Sequence, residues 1–211
     1  MADDLALLQR FDEPNVLALV KQRYEHFDIY TWVNSMLLAI NPYCDLGLYT
    51  PAVMKKYGSY GEKERPPPHA FGVAASAFKG LLGGQSQCIL VTGESGAGKT
   101  ETCRRVLQFL AHSSATSAER ADVISIHDVI DRSNCMLEAF GNAVTTMNEN
   151  SSRFGKFLTL HFVNGSLVAA SVRTYLLEKT RVVAHASGER TFHILYSLLE
   201  GFDGVEARQH C

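Results

Sequence analysis

The chain has 211 residues, 46% hydrophobic and 20% charged, with 20 Lys and Arg against 22 Asp and Glu for a formal net charge of −2. That length and balance suit one full-sized globular domain, and they exclude collagen, a disulfide scaffold, a disordered acidic tail and the basic footprint of a nucleic-acid binder. The five cysteines (Cys44, Cys88, Cys103, Cys135, Cys211) are odd in number, widely spaced and never in a C-x-x-C pair, which points to a reduced intracellular compartment.

The N-terminus, MADDLALLQRFDEP, carries acid where a signal peptide needs base. Apolar stretches such as Met36 to Ile40 are too short to span a bilayer, so a soluble, cytosolic chain is expected. Val16, Leu17, Val20 and Tyr24 recur at helical spacing within Asn15 to Phe27, after a proline at position 14 that suits a first turn. Ile29 to Val33 and Ser35 to Ile40 form a predicted hairpin about Asn34, closed off by Asn41-Pro42. Gly61 to Pro68 is a polar, proline-rich loop, and His69 to Leu82 a helix stopped by Gly83-Gly84.

Cys88 to Thr92 (CILVT) is a continuous apolar run bounded by turn signals, the pattern of a fully buried strand. A helix from Lys99 to about Ala111 follows, with Val106, Phe109 and Leu110 inward, then a Ser/Thr/Ala-rich break and a second long helix toward Phe140. Phe157 to Val163 alternates in polarity up to Asn164-Gly165, a strong hairpin signal, with a return strand to about Arg173. Glu189 to Glu200 closes the pattern as a helix with Phe192, Leu195, Tyr196 and Leu199 on one face. Helices alternating with buried strands, and no internal repeat, define an α/β fold.

Gly93-Glu94-Ser95-Gly96-Ala97-Gly98-Lys99-Thr100 matches G-x-x-x-x-G-K-[ST] between the apolar run and a helix, the context of a phosphate-binding loop. Its glycines let successive backbone N–H groups face a β-phosphate at the positive end of the helix. Lys99 is placed to reach the β/γ-phosphates and the Thr100 hydroxyl to bind Mg²⁺. By itself this loop leaves kinases, GTPases and motors open. The eight histidines form no H-E-x-x-H and no paired spacing with cysteine. Cys103 is expected as a small buried hydrophobe, and Asp128 with Asp131 as a solvated helix face.

The segment Asn148 to Phe157 (NENSSRFGKF) strongly resembles the switch I signature of the myosin motor domain, and Gly93 to Glu101 is the family's usual phosphate loop. Leu38 to Tyr43 with Tyr49, Glu138 to Ala143, Tyr175 to Val183, and Gly188-Glu189-Arg190 with Phe192-His193-Ile194 resemble further family motifs, in family order. Kinesins word both loops differently. The resemblance implies a P-loop NTPase of the myosin type over residues 1–211: a purine-binding stretch at 41–49, the phosphate loop at 93–100, switch I at 148–157, and an incomplete central mixed sheet flanked by helices.

It implies Mg·ATP as ligand and the following roles. Asn148 approaches the phosphates, and Ser151 relays a proton from the attacking water. Ser152 is a second hydroxyl ligand of Mg²⁺ opposite Thr100, and Arg153 pairs with a switch II glutamate. Asn41, Pro42, Tyr43 and Tyr49 hold the adenine edge. From the residues alone, Ser151-Ser152 reads more readily as a turn with local backbone bonds and Arg153 as an exposed arginine.

Met147 stands where the family commonly has a basic residue, Cys135 replaces a usual proline, and Asn34 sits where the hairpin usually has glycine. The switch II segment D-x-x-G occurs nowhere in the chain; Asp203-Gly204-Val205-Glu206 resembles a family surface loop instead. These residues are therefore expected to be the nucleotide-binding front of a myosin head, with the apolar faces of Leu158, Leu160 and Phe162, or of Val106 and Phe109, left exposed. Alone they are expected to turn ATP over poorly.

An actin-activated motor in the cytoplasm and cytoskeleton, with light chains only if a lever arm lies downstream, is one functional reading. A nucleotide-binding module or degenerate copy without productive turnover is another, and an unrelated P-loop kinase a disfavoured third. An in-frame D-x-x-G-x-E segment downstream of Cys211 would favour the first.

Overall fold

A computed structural model of the chain describes residues 2–61, 64–114 and 120–201. The side chains of Asp128 and Asp131, and the segment Asp203 to Glu206, lie outside the described residues. The chain divides into two compact units, Met1–Val123 with Asn164–Ser166, and Ile124–Val163 with Leu167–Cys211.

In the first unit, helix α1 (Glu13–Glu25) starts where the Asp12 carboxylate accepts from the Asn15 N–H at 3.1 Å with proline in the first turn, and it ends before Phe27 at φ +62°. Its inner face runs through Val16, Leu19, Val20 and Arg23, and Leu17 and Tyr24, also at helical spacing, are exposed. Arg23 takes an interior place because its guanidinium donates to Thr31 Oγ1 and to the carbonyls of Tyr30 and Ala2. Strands β1 (Tyr30–Val33) and β2 (Met36–Ala39) form the expected hairpin, Tyr30 facing Ala39 and Val33 facing Met36. Asn34 accepts the left-handed turn at φ +55°.

Helix α2 (Pro51–Ser59) follows a Thr50 cap. Then come α3 (Ala70–Leu82) and α4 (Lys99–Ser114). The core lies here: Phe71 and Phe109 bring α3 against α4 with ring centroids 5.3 Å apart, and Trp32, Met54, Tyr57 and Ala74 close around them. Val106 and Phe109 are thus buried, against the expectation that they lack cover.

The second unit contains most of α5 (Arg120–Gly141), then β3 (Asn142–Thr145), β4 (Asn148–Ser152), β5 (Gly155–Val163), β6 (Ser166–Tyr175), a short 3₁₀ turn at Lys179–Val182 and α6 (His193–Gly201). Strands β5 and β6 pair through Asn164 at φ +50° and Gly165 at φ +81°, the two left-handed positions that an Asn-Gly turn supplies. Leu158, Leu160 and Phe162 are half-buried rather than bare.

The sheet differs from expectation. The described strands form three separate two-stranded pairs and no mixed central sheet. Cys88 to Thr92 is not a strand: Leu90 is 85% exposed. An apolar run becomes a buried strand only when neighbours satisfy its backbone and cover its faces, and no strand pairs with it among the described residues.

Candidate nucleotide-binding site

The loop Gly93–Thr100 leads into α4. Gly93, Gly96 and Gly98 have φ of +155°, +80° and +89°, values that a side chain disfavours. A Cβ on Gly93 would meet Ala97 Cβ at 3.3 Å, so the loop also closes tightly on itself. Ala97 N–H donates to the Glu94 carbonyl at 3.2 Å, and Thr102 N–H to the Gly98 carbonyl at 2.9 Å, starting the helix. The Lys99 ammonium donates to the carbonyls of Gly93 at 2.7 Å and Glu94 at 2.6 Å, so the one cation of the loop is folded back across its mouth. Ser95 and Thr100 are exposed. Glu101, on the same first turn, pairs with Arg105 at 2.5 Å.

Two of the residues expected to hold a purine reach this loop directly. Asn41 Nδ2 donates to the Gly96 carbonyl at 2.7 Å, while Asn41 Oδ1 accepts from Tyr43 N–H at 3.0 Å. Tyr43, at φ +52°, donates its hydroxyl to the same Gly96 carbonyl at 3.3 Å and leaves its ring 81% exposed. Pro42 is half-buried between them.

Tyr49 joins the loop's helix another way. The Arg105 guanidinium lies 4.3 Å over its ring, a cation–π contact, and its hydroxyl shares a 2.8 Å hydrogen bond with that of Tyr30. Burial, reinforced by the Tyr49 hydroxyl, holds the Tyr30 hydroxyl far above the usual tyrosine range. No motif singles out Arg105, although the Glu101/Arg105 spacing of four on a helix was a usable signal. Cys103, expected buried, is exposed on α4.

Asn148 to Phe157 belongs to the second unit. Strand β4 pairs antiparallel with β3, Asn142 facing Ser152 and Ala143 facing Ser151, with an irregularity before Thr145 faces Asn148. Ser151 is buried and Ser152 half-buried. Met147 is exposed on the preceding turn. Asn150 ties the strand down: its Oδ1 accepts from Asn142 Nδ2 at 2.9 Å and contacts His193 Nε2 at 3.1 Å, and its Nδ2 donates to Glu138 at 3.1 Å.

Arg153 follows the strand with its N–H on the Gly141 carbonyl at 2.8 Å and its own carbonyl accepting from Glu178 N–H at 2.9 Å. Its carboxylate partner here is Glu178, with Nε to Oε2 at 3.1 Å. The same Glu178 oxygen accepts from Arg181 Nε at 3.0 Å. Buried Arg181 also pairs with Glu189 at 2.9 Å and donates to the Arg190 carbonyl at 3.0 Å. Arg181 holds the Glu189 carboxyl below the usual carboxylate range. Glu178, Arg181 and Glu189 are legible in the sequence only as parts of family-like motifs, without a role.

The donor set suits a nucleoside triphosphate with Mg²⁺. A strained glycine loop at a helix N-terminus, an ammonium on it and an exposed first-turn hydroxyl are groups that bind phosphate oxygens and a hard cation. Fold and loop together define the class, a mixed helix–strand chain whose glycine loop leading into a helix is consistent with an NTPase of the phosphate-loop type.

The chain belongs to the myosin head family: the profile described as myosin head (motor domain) matches residues 2–210. It is 49% identical to myosin type-2 heavy chain 2 of Schizosaccharomyces pombe over 206 residues, 97% of this chain and 10% of the relative. It is 46% identical to a probable myosin heavy chain of Encephalitozoon cuniculi over 210 residues, 99% of this chain and 12% of that one. Myosin-1 of Neurospora crassa is 41% identical over 200 residues, 94% of this chain and 16% of the relative. The chain thus spans between a tenth and a sixth of the length of these curated relatives.

Proposed function

We propose that these residues are the ATP-binding part of an actin-based cytoskeletal motor, which couples Mg·ATP hydrolysis to movement along actin. The observation that supports this best is the double fastening of the loop Gly93–Thr100, with the Lys99 ammonium on the Gly93 and Glu94 carbonyls and the Asn41 amide on Gly96. Lys99 exchanges neutral carbonyl partners for anionic phosphate oxygens, a stronger charge-assisted bond. Asn41, Pro42, Tyr43 and Tyr49 hold the base beside that cradle.

Thr100 and Ser152 would each offer a hydroxyl to Mg²⁺, which when bound would supply charge neutralisation to the phosphates. Asn148 would orient the phosphates, Ser151 would take up and pass on a proton from the attacking water, and Arg153 would close the position of that water. The cytoplasm and its actin cytoskeleton are the setting of this reading.

A second reading, a nucleotide-binding module without productive turnover, draws on one observation. Arg153 is engaged by Glu178. Phosphate release by the protein as the cell makes it, measured with and without actin filaments, separates the two. The motor reading expects filaments to accelerate release. Nucleotide binding with no release above background, with or without filaments, contradicts it and leaves the binding module.

A further inference from the structure

We propose that His69 is the positioning residue of the base pocket, an imidazole wedge between the start of α3 and the Leu48-Tyr49 segment that sets where the Tyr49 ring stands. The inference rests on the reading that Tyr49 touches the base.

His69 is 5% exposed and caps α3, its Nδ1 accepting from Phe71 N–H at 3.0 Å. Capping alone does not call for this side chain, since Ser, Thr, Asp and Asn are preferred at that position. The ring has further contacts. It stacks on Tyr57 at 4.9 Å and 29°, and meets Phe71 at 4.5 Å, Tyr30 at 5.0 Å and Tyr49 at 5.6 Å.

An Nδ1 that accepts a hydrogen bond puts the neutral ring's proton on Nε2. Nε2 is buried and makes no hydrogen bond of full geometry among the described residues, and the backbone group that acts on the ring is the Leu48 carbonyl. A buried N–H left unpaired is costly, so the ring gains from drawing Leu48 toward it. Leu48 is the residue before Tyr49. The ring therefore acts on Tyr49 from two directions, through ring contact and through the neighbouring backbone. Arg105 over the Tyr49 ring and the Tyr30 hydroxyl hold it from the other sides. A residue that fixes Tyr49 in this way governs the base contact and leaves the phosphate loop untouched.

The test is calorimetric titration of the chain with Mg·ATP and with Mg·triphosphate. Wild type is compared with Tyr49→Ala, His69→Asn and His69→Phe. His69→Asn keeps a side-chain acceptor for Phe71 N–H and removes the ring; His69→Phe keeps a ring and removes both nitrogens, so each covers a folding failure of the other. Both His69 variants should weaken ATP about three- to tenfold while triphosphate changes by less than about twofold. An equal loss for both ligands, or none for either, alongside a selective loss in Tyr49→Ala, makes His69 purely structural and overturns the inference. A Tyr49→Ala variant without selective loss removes the base contact itself, and the inference falls with it.

Discussion

Lys99 and His69 sit on neighbouring pieces of the first unit and use their nitrogens in opposite ways. The Lys99 ammonium is satisfied by two carbonyls that a phosphate can replace. The His69 ring is sealed among aromatic rings, and burial holds it down to about 4, from an ordinary value of 6.5, with the Leu48 carbonyl acting in the opposite direction. The folded chain therefore keeps His69 neutral where the unfolded chain protonates it. Stability from this residue is complete above pH 6.5 and declines as pH falls toward 4. The loss approaches about 1.4 kcal/mol per pH unit, roughly 3 kcal/mol in all. Urea midpoints across that range should show the slope in wild type and a flatter curve in His69→Phe. Equal slopes in both would show that His69 is not the residue titrating.

At the scale of elements, the second unit is fastened by one buried cation. Arg181, whose side chain is 5% exposed, joins Glu178 to Glu189 and so ties the 3₁₀ turn at Lys179–Val182 to the chain before α6, while Glu178 also engages Arg153 after β4. Arg181→Ala leaves these carboxylates without their common partner and should lower stability by roughly 2–4 kcal/mol. Thermal melts that differ from wild type by less than about 0.5 kcal/mol would contradict this account of the network.

Much of this organisation was legible locally. The hairpins about Asn34 and Asn164-Gly165, α3, and α4 with its buried Val106 and Phe109 announce themselves through turn residues and periodicity. Helix α2 has only a local signal, the Thr50 cap and the first-turn proline at Pro51. Strand β4 has no apolar alternation at all. It is held by its ladder with β3 and by the side-chain bonds of Asn150, which arrive from α5, β3 and the start of α6. For Cys88 to Thr92 composition promised burial, but strand formation depends on neighbours that no local pattern supplies. The site divides in the same way. Glycine spacing marked the candidate loop Gly93–Thr100, whereas Arg105 on Tyr49, His69 behind it and Glu178 on Arg153 are tertiary facts.

At the scale of the whole chain, family membership spans residues 2–210, and every functional reading turns on whether the loop Gly93–Thr100 takes a nucleotide. The most direct measurement is the affinity for Mg·ATP by calorimetry, wild type against Lys99→Ala, with circular dichroism to show that both are folded. Loss of the loop's cation should weaken binding at least about a hundredfold, because no other ammonium stands on the loop to replace a charge-assisted phosphate contact. Equal affinity in two folded proteins would contradict the assignment of the site.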